Sequence, residues 1–261
     1  MINEKVRNFL LSSVGFDGGD LGSPDNQSIW LCGIEWGGGY CEPQDLLNDI
    51  NKTENYIPLQ KLIDDNKCLY GGYENKCVNF AHQFNRKAIK LLASLFGFDN
   101  AVMFNKQYKP FVKDKKGFFK LNVFPISFKS METEDRKKFL EVIGFKSDSE
   151  YKNFCRNAQD DNSRFSLLRK LKEEYEPKII ICVGKTVSND FTKAFLGKAE
   201  NIIWDESKDF YYEIMEYKNG NKGLFVITRF LGGPNGLNSD KKLNECGKNI
   251  AEIAKKYGIN F

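Results

Sequence analysis

Glu35 stands at the end of a short apolar run, Ile29, Trp30, Leu31, Cys32, Gly33 and Ile34, and is followed by Trp36, Gly37, Gly38 and Gly39. Mostly apolar, β-favouring residues bounded by turn residues read as a buried strand, and the glycines beyond let the backbone leave the sheet at angles that other residues resist. In an open α/β sheet ligands bind at the carboxyl ends of the strands, so a carboxylate there, beside bare backbone, is placed to do chemistry. Taken alone, the stretch reads equally as a glycine-rich turn with a solvated glutamate. Other strand ends carry suitable residues. Asn122 lies near the exit of Phe119–Ser127, and its amide can donate and accept at once or merely cap a turn. Gly184 and Lys185 follow the β-branched run from Lys178. A glycine-rich segment with Arg229, Gly233, Pro234, Asn235 and Asn238 follows the strand that starts at Gly223, and by themselves these glycines are ordinary turns.

The elements that must position these residues follow from periodicity. Val6, Phe9 and Leu10 predict a short amphipathic helix over residues 2–12, and Gly15–Pro24 reads as a loop into the first strand. The polar segment from about 41 to 79, with Pro43, Pro58, Gly71 and Gly72, reads as an irregular insertion, a functional lid rather than a linker. Phe84, Ala88, Leu91, Leu92 and Leu95 share one face of a helix over Phe80–Phe96. Phe104–Phe119 interleaves Lys106, Lys109, Lys113, Lys115 and Lys116 with Tyr108, Phe111 and Phe118, a pattern of a solvated hairpin or of a track for a nucleic-acid backbone. Helices are predicted over 132–142, 147–157, Ser163–Tyr175 and Thr186–Phe195, and a last one after Ser239 or Asp240. Phe210–Tyr217 and Gly223–Phe230 flank Asn219–Asn221 as a hairpin. Strands alternating with helices predict one α/β domain over 1–261, a three-layer α/β/α sandwich around a mostly parallel, four-stranded sheet.

Composition sets the bounds. The 39 basic and 35 acidic residues leave a net charge of +4, which permits a polyanionic partner without demanding one. Seven cysteines without a CxxC pair signal neither a disulfide framework nor a zinc knuckle, and fit a reduced, cytoplasmic chain. No run approaches membrane-spanning length, and the first residues lack the apolar core of a secretion signal. The single histidine, His82, excludes any mechanism needing two and reads as structural or exposed.

Taken in order, the strand ends resemble the uracil-DNA glycosylase superfamily. Its members carry Gly-x-(Asp/Asn)-Pro-(Gly/Tyr) after the first strand, where this chain has Gly33-Ile34-Glu35-Trp36-Gly37. They place an Asn at the end of the second strand and a glycine after the third, to which Asn122 and Gly184 are similar. Their last motif begins His-Pro-Ser or Asn-Pro-Ser, and the mismatch-specific branch has Asn-Pro-Ser-Gly-Leu-Asn, which Gly233-Pro234-Asn235-Gly236-Leu237-Asn238 resembles. The resemblance implies a DNA glycosylase, monomeric and without metal or cofactor, that extrudes a base and hydrolyses its glycosidic bond. It assigns water activation to Glu35 and the edge of the base to Asn122; Trp36 or Tyr40 reads as a stacking partner or as core, and any leaving-group stabilisation falls to Arg229 or Asn235, since Gly233 stands in the place of the family's His or Asn. DNA would be met by Gly37, Gly38, Gly184, Lys185, Gly233, Pro234, Asn235 and Asn238. The chain departs from the family at Trp36, in the place of proline, and at Gly233, in the place of His or Asn. The family's iron–sulfur branch gathers cysteines, and Cys41, Cys68, Cys77 and Cys155 are too dispersed in sequence to propose a cluster. The alternatives are a non-catalytic nucleic-acid-binding protein of the same fold, or, on Lys185 alone, a nucleotide-binding α/β protein without a complete phosphate loop.

Overall fold

A strand covered on both faces is apolar at nearly every position, and the computed structural model buries all of Ile29–Gly33, Phe118–Asn122 and Ile179–Val183. It describes residues 2–35, 38–128, 133–157, 162–197, Trp204 and 210–261. The chain begins with α1 (Glu4–Leu10), β1 (Phe16–Asp20), a small hairpin of β2 (Gly22–Ser23) and β3 (Asn26–Gln27), and β4 (Ile29–Gly33). Then come α2 (Pro43–Ile50), α3 (Leu59–Asp64), β5 (Leu69–Gly71), α4 (Gln83–Leu95), α5 (Ala101–Tyr108) and β6 (Phe118–Asn122). The second half comprises α6 (Thr133–Val142), α7 (Asp148–Asn157), α8 (Arg164–Tyr175), β7 (Ile179–Val183), α9 (Ser188–Phe195), β8 (Phe210–Glu216), β9 (Lys222–Thr228) and α10 (Asp240–Lys256).

The main sheet has seven strands in the order β5-β1-β6-β4-β7-β9-β8, not the four expected. The four expected strands are its centre, β6, β4, β7 and β9, and all their pairings are parallel. Antiparallel β1 and β5 extend one side and antiparallel β8 the other. The expected loop over Gly15–Pro24 contributes β1; its sequence FDGGD lacks apolar alternation, so only its pairing with β6 and β5 makes it a strand. The 41–79 segment likewise contains α2, α3 and β5 rather than irregular chain alone.

Helices flank the sheet on both sides. Ile29, Leu31, Ile179, Ile181, Leu224 and Val226 pack with residues of α4, α5 and α10, whereas Trp30, Cys32, Ile180, Cys182, Phe225 and Ile227 pack with residues of α1–α3 and α6–α9. This period-2 division of each strand between two cores is what a doubly covered sheet requires. Phe104–Phe119 is a helix followed by turns instead of a hairpin, and its aromatics are committed inward: Phe111 and Phe118 are buried and Tyr108 stacks on Phe104 at 5.0 Å. No helix among the described residues is long and apolar enough to cross a membrane. All seven cysteines are free thiols.

Among the buried cations, Lys120 and Arg164 are each fully engaged. Lys120, inside β6, sits 2.5 Å from Asp17, donates to Tyr73 (2.9 Å) and Asn85 (3.0 Å), and lies over the Phe84 ring, so it ties β1 and α4 to the sheet. Arg164, at the start of α8, is 0% exposed. Its Nε donates to the Val123 carbonyl (2.8 Å), Nη1 to Leu10 (3.0 Å) and Ser12 (2.9 Å), and Nη2 to Val14 (2.7 Å) and Asn122 (3.3 Å). No carboxylate of the described residues pairs with it, and burial pulls its pKa down to about 10. Buried carbonyls left without a donor cost about 1–3 kcal/mol each, so Arg164→Met is expected to lower unfolding free energy by about 3–5 kcal/mol in urea titrations. A loss below about 1 kcal/mol would show that those carbonyls find other partners.

Candidate functional site

Because β6, β4, β7 and β9 run parallel, their carboxyl ends lie along one edge. The register pairs Gly33 with Asn122, Cys32 with Cys182, and Val183 with Thr228. Pairing continues past the strands through Val123 N to Gly33 O (3.1 Å), Phe124 N to Ile34 O (3.0 Å) and Gly184 N to Thr228 O (3.0 Å). The turns that carry Glu35, Asn122, Gly184 and Arg229 therefore leave the sheet at the same edge.

Glu35 is neither solvated nor bare. Arg136 of α6 holds both its oxygens, with Nη1 2.9 Å from Oε1 and Nη2 3.2 Å from Oε2. The two side chains are 10% and 5% exposed, so the pair is screened from solvent. Arg136 also donates to Asp148 from Nε (3.0 Å) and Nη2 (2.7 Å), and its guanidinium lies 4.1 Å from the centroid of the Phe128 ring. Lys152 closes the cluster 2.6 Å from Asp148. Burial raises the Glu35 pKa, and Arg136 offsets part of that rise. For Asp148, burial pushes the same way, but Lys152 and Arg136 outweigh it and hold the carboxyl below its ordinary value.

Asn122 is buried with its amide directed at the chain itself: Nδ2 donates to the Gly15 carbonyl at 3.0 Å. That carbonyl also accepts the Asn122 backbone N–H at 2.9 Å. The side-chain oxygen lies against Gly33, where a Cβ would run into it. Tyr40 pairs with Phe128 as an isolated bridge and donates its hydroxyl to Asp49 at 2.8 Å, beside Tyr56, which donates to the same oxygen at 3.1 Å. Burial, with Asp49 adding to it, raises the Tyr40 pKa. Tyr40 thus anchors α2, a role its sequence context did not indicate. Gly38 has φ +88° with open space around it. Trp36 and Gly37 lie outside the described residues.

The ends of β7 and β9 form a second part of the edge. Lys185, Thr186, Arg229, Phe230 and the loop Gly232–Gly236 line a cavity of about 280 Å³. Gly233, Pro234 and Asn235 are in its wall, while Asn238 donates to the Pro234 carbonyl at 3.3 Å and braces the loop. A Cβ at Gly236 would run into the carbonyl oxygens of Gly232 and Phe230, so the tight winding needs glycine there. Lys185 Nζ and the Arg229 guanidinium approach the Trp204 ring to 4.6 and 5.9 Å from its centroid. Gly184, with φ +139°, packs on the Ile34 side chain and joins this part to the Glu35 turn. His82 is exposed at the amino end of α4.

The structure thus brings Lys185, Arg229, Gly233, Pro234 and Asn235 around one cavity, and sets Glu35 and Asn122 in packed positions on neighbouring strand ends. Arg136 and Asp148 gave no signal in sequence, being two charges in ordinary amphipathic helices. No group of three or more His, Cys, Asp or Glu side chains among the described residues could hold a metal ion. Chemically, the edge offers two cations beside an open glycine loop, suited to an anion, and a carboxylate whose charge is balanced locally. No protein-family model matches the chain, and comparison with curated proteins finds no match.

The Gly33–Asn122 contact is open to a direct check. Gly33→Ala is expected to displace the Asn122 amide and to cost about 1–3 kcal/mol of stability, as overpacking does. Side-chain amide NMR shifts and chemical denaturation report the two effects separately.

Proposed function

We propose that the protein is a monomeric DNA glycosylase with a three-layer, uracil-DNA glycosylase-like fold, which flips a damaged, deaminated or modified base and hydrolyses its N-glycosidic bond with Glu35. The observation that carries this reading is the cavity between Lys185, Arg229 and the Gly232–Gly236 loop, at the same carboxyl edge of the parallel strands as the Glu35 turn. Cations with exposed backbone suit a phosphodiester, and an acidic group beside them suits the cationic sugar formed as the bond to the base breaks. In that step the C1′–N bond opens, water orientated by Glu35 adds its oxygen to C1′, and the proton goes to the departing base. Arg229 would stabilise the negative charge that develops on that base. Asn122 contributes through its place behind Gly33, and its amide would have to leave Gly15 to read a base directly. The free thiols suit a reducing, cytoplasmic compartment.

A second reading, a nucleic-acid-binding protein without catalysis, is favoured by the bidentate hold of Arg136 on Glu35. Base release from oligonucleotides carrying uracil, deaminated purines and modified cytosines separates the two. Glu35→Gln is expected to slow release at least about 100-fold while leaving DNA affinity within about threefold, since the carboxylate acts mainly on the charged transition state. Binding with no released base on any substrate would select the second reading.

Backbone contact has its own signature. Lys185→Ala and Arg229→Ala are each expected to weaken binding across all sequences and to reduce the slope of log affinity against log salt by about 1, as loss of one phosphate contact does. Fluorescence anisotropy at several salt concentrations measures both.

A further inference from the structure

Arg136 does more than neutralise one charge. Its guanidinium uses two edges, one bidentate on Glu35 at 2.9 and 3.2 Å and one on Asp148 at 3.0 and 2.7 Å, and its face lies on Phe128. A planar fork held on two sides and one face has little freedom to rotate, so the carboxylate it grips is fixed in orientation as well. The hold comes from α6 and α7, far along the chain from the turn that carries Glu35. The charged and titratable groups facing Glu35 are Arg136 from α6 and Asp148, Lys152 and Tyr151 from α7. Each oxygen of an ionised carboxylate has two acceptor positions, so one guanidinium hydrogen bond per oxygen leaves a second position for water.

We propose that Arg136 is a positioning residue for Glu35, fixing the plane of its carboxylate at the end of β4 and balancing its charge so that it stays ionised in a site shielded from solvent. The proposal rests on the reading of Glu35 as the group that orients water. Without Arg136 the carboxylate is a buried charge with no direct partner among the described residues, and it escapes by taking up a proton. Asp148 and Lys152 act through Arg136, one anchoring it and the other balancing that anchor.

Two substitutions separate charge from orientation. Arg136→Gln removes both, whereas Arg136→Lys keeps the charge and loses the fork. Carbon-13 NMR of the glutamate carboxyls, with the Glu35 signal assigned by its loss in Glu35→Gln, gives the ionisation midpoint independently of any activity. The midpoint is expected to rise by about 1 unit or more in Arg136→Gln and to stay within about half a unit of the parent in Arg136→Lys. The acid limb of the pH profile for base release should move up with the midpoint in Arg136→Gln. In Arg136→Lys, kcat should fall about tenfold or more with little change in KM or in the profile, because orientation is lost while charge remains.

An unmoved Glu35 midpoint in folded Arg136→Gln overturns the charge-balancing role, and parental kcat in Arg136→Lys overturns the orienting role. Should Arg136→Gln not fold, the Arg136→Lys midpoint and kcat decide the proposal, and a midpoint that rises as far as a neutral residue would cause counts against it. If the midpoint shifts as expected but no form of the protein, parent included, releases a base, charge balancing stands and the orienting role for catalysis falls together with the glycosylase reading.

Discussion

The geometry of the sheet edge depends on one buried guanidinium. Arg164 gathers the carbonyls of Leu10, Ser12 and Val14 on one side and those of Asn122 and Val123 on the other. It thereby locks the turn that precedes β1 against the exit of β6. Gly15, the next residue in that turn, presents the carbonyl that accepts both the backbone and the side-chain N–H of Asn122. Asn122 in turn packs on Gly33, two residues before Glu35. A cation surrounded by backbone carbonyls, with no carboxylate beside it among the described residues, brings no second charge into the core. The cost of its desolvation shows as a pKa drawn down to about 10. That cost is tolerable because every donor edge is used, and five carbonyls at a break between elements would otherwise need donors of their own.

The edge divides electrostatically. On the β4 side, Glu35 and Asp148 face Arg136 and Lys152, a cluster whose formal charges cancel. On the β7–β9 side, Lys185 and Arg229 stand at an open cavity beside a glycine loop. The first arrangement is packed and directional, whereas the second lines a cavity. The contact of Gly184 with Ile34 links the two parts of the edge.

Much of this was legible in the sequence, and the missing parts share a physical cause. The four central strands announce themselves because burial on both faces demands apolar runs, and KIIICVG meets that demand without help from neighbours. The helices α4, α8 and α10 show their stripes for the same reason. By contrast β1 owes its conformation to partners on both sides, and FDGGD carries no local pattern to reveal them. Glu35 was found because glycines and an apolar run isolate it. Its partner Arg136 was not, since TEDRKKFLEV reads as a solvated charged face and only the tertiary packing of α6 and α7 turns that arginine inward. Tyr40 and Asn122 were legible as polar groups near strand ends, but which way they hydrogen-bond depends on Asp49 and Gly15, which no spacing rule connects to them.

If the edge receives a polyanion, as proposed, the balanced cluster bears on how a carboxylate can serve there. Two like charges about 4 Å apart repel by about 4 kcal/mol at an effective dielectric of 20, so an unpaired carboxylate beside a phosphodiester would oppose the binding proposed for Lys185 and Arg229. Pairing Glu35 with Arg136 moves that opposition into a local dipole whose field falls off faster than that of a free charge. An amide in the place of Glu35 would avoid the repulsion without an arginine, at the loss of the charge that a cationic sugar calls for. On the proposed reading, a carboxylate after β4 and a buried arginine on α6 are two parts of one solution.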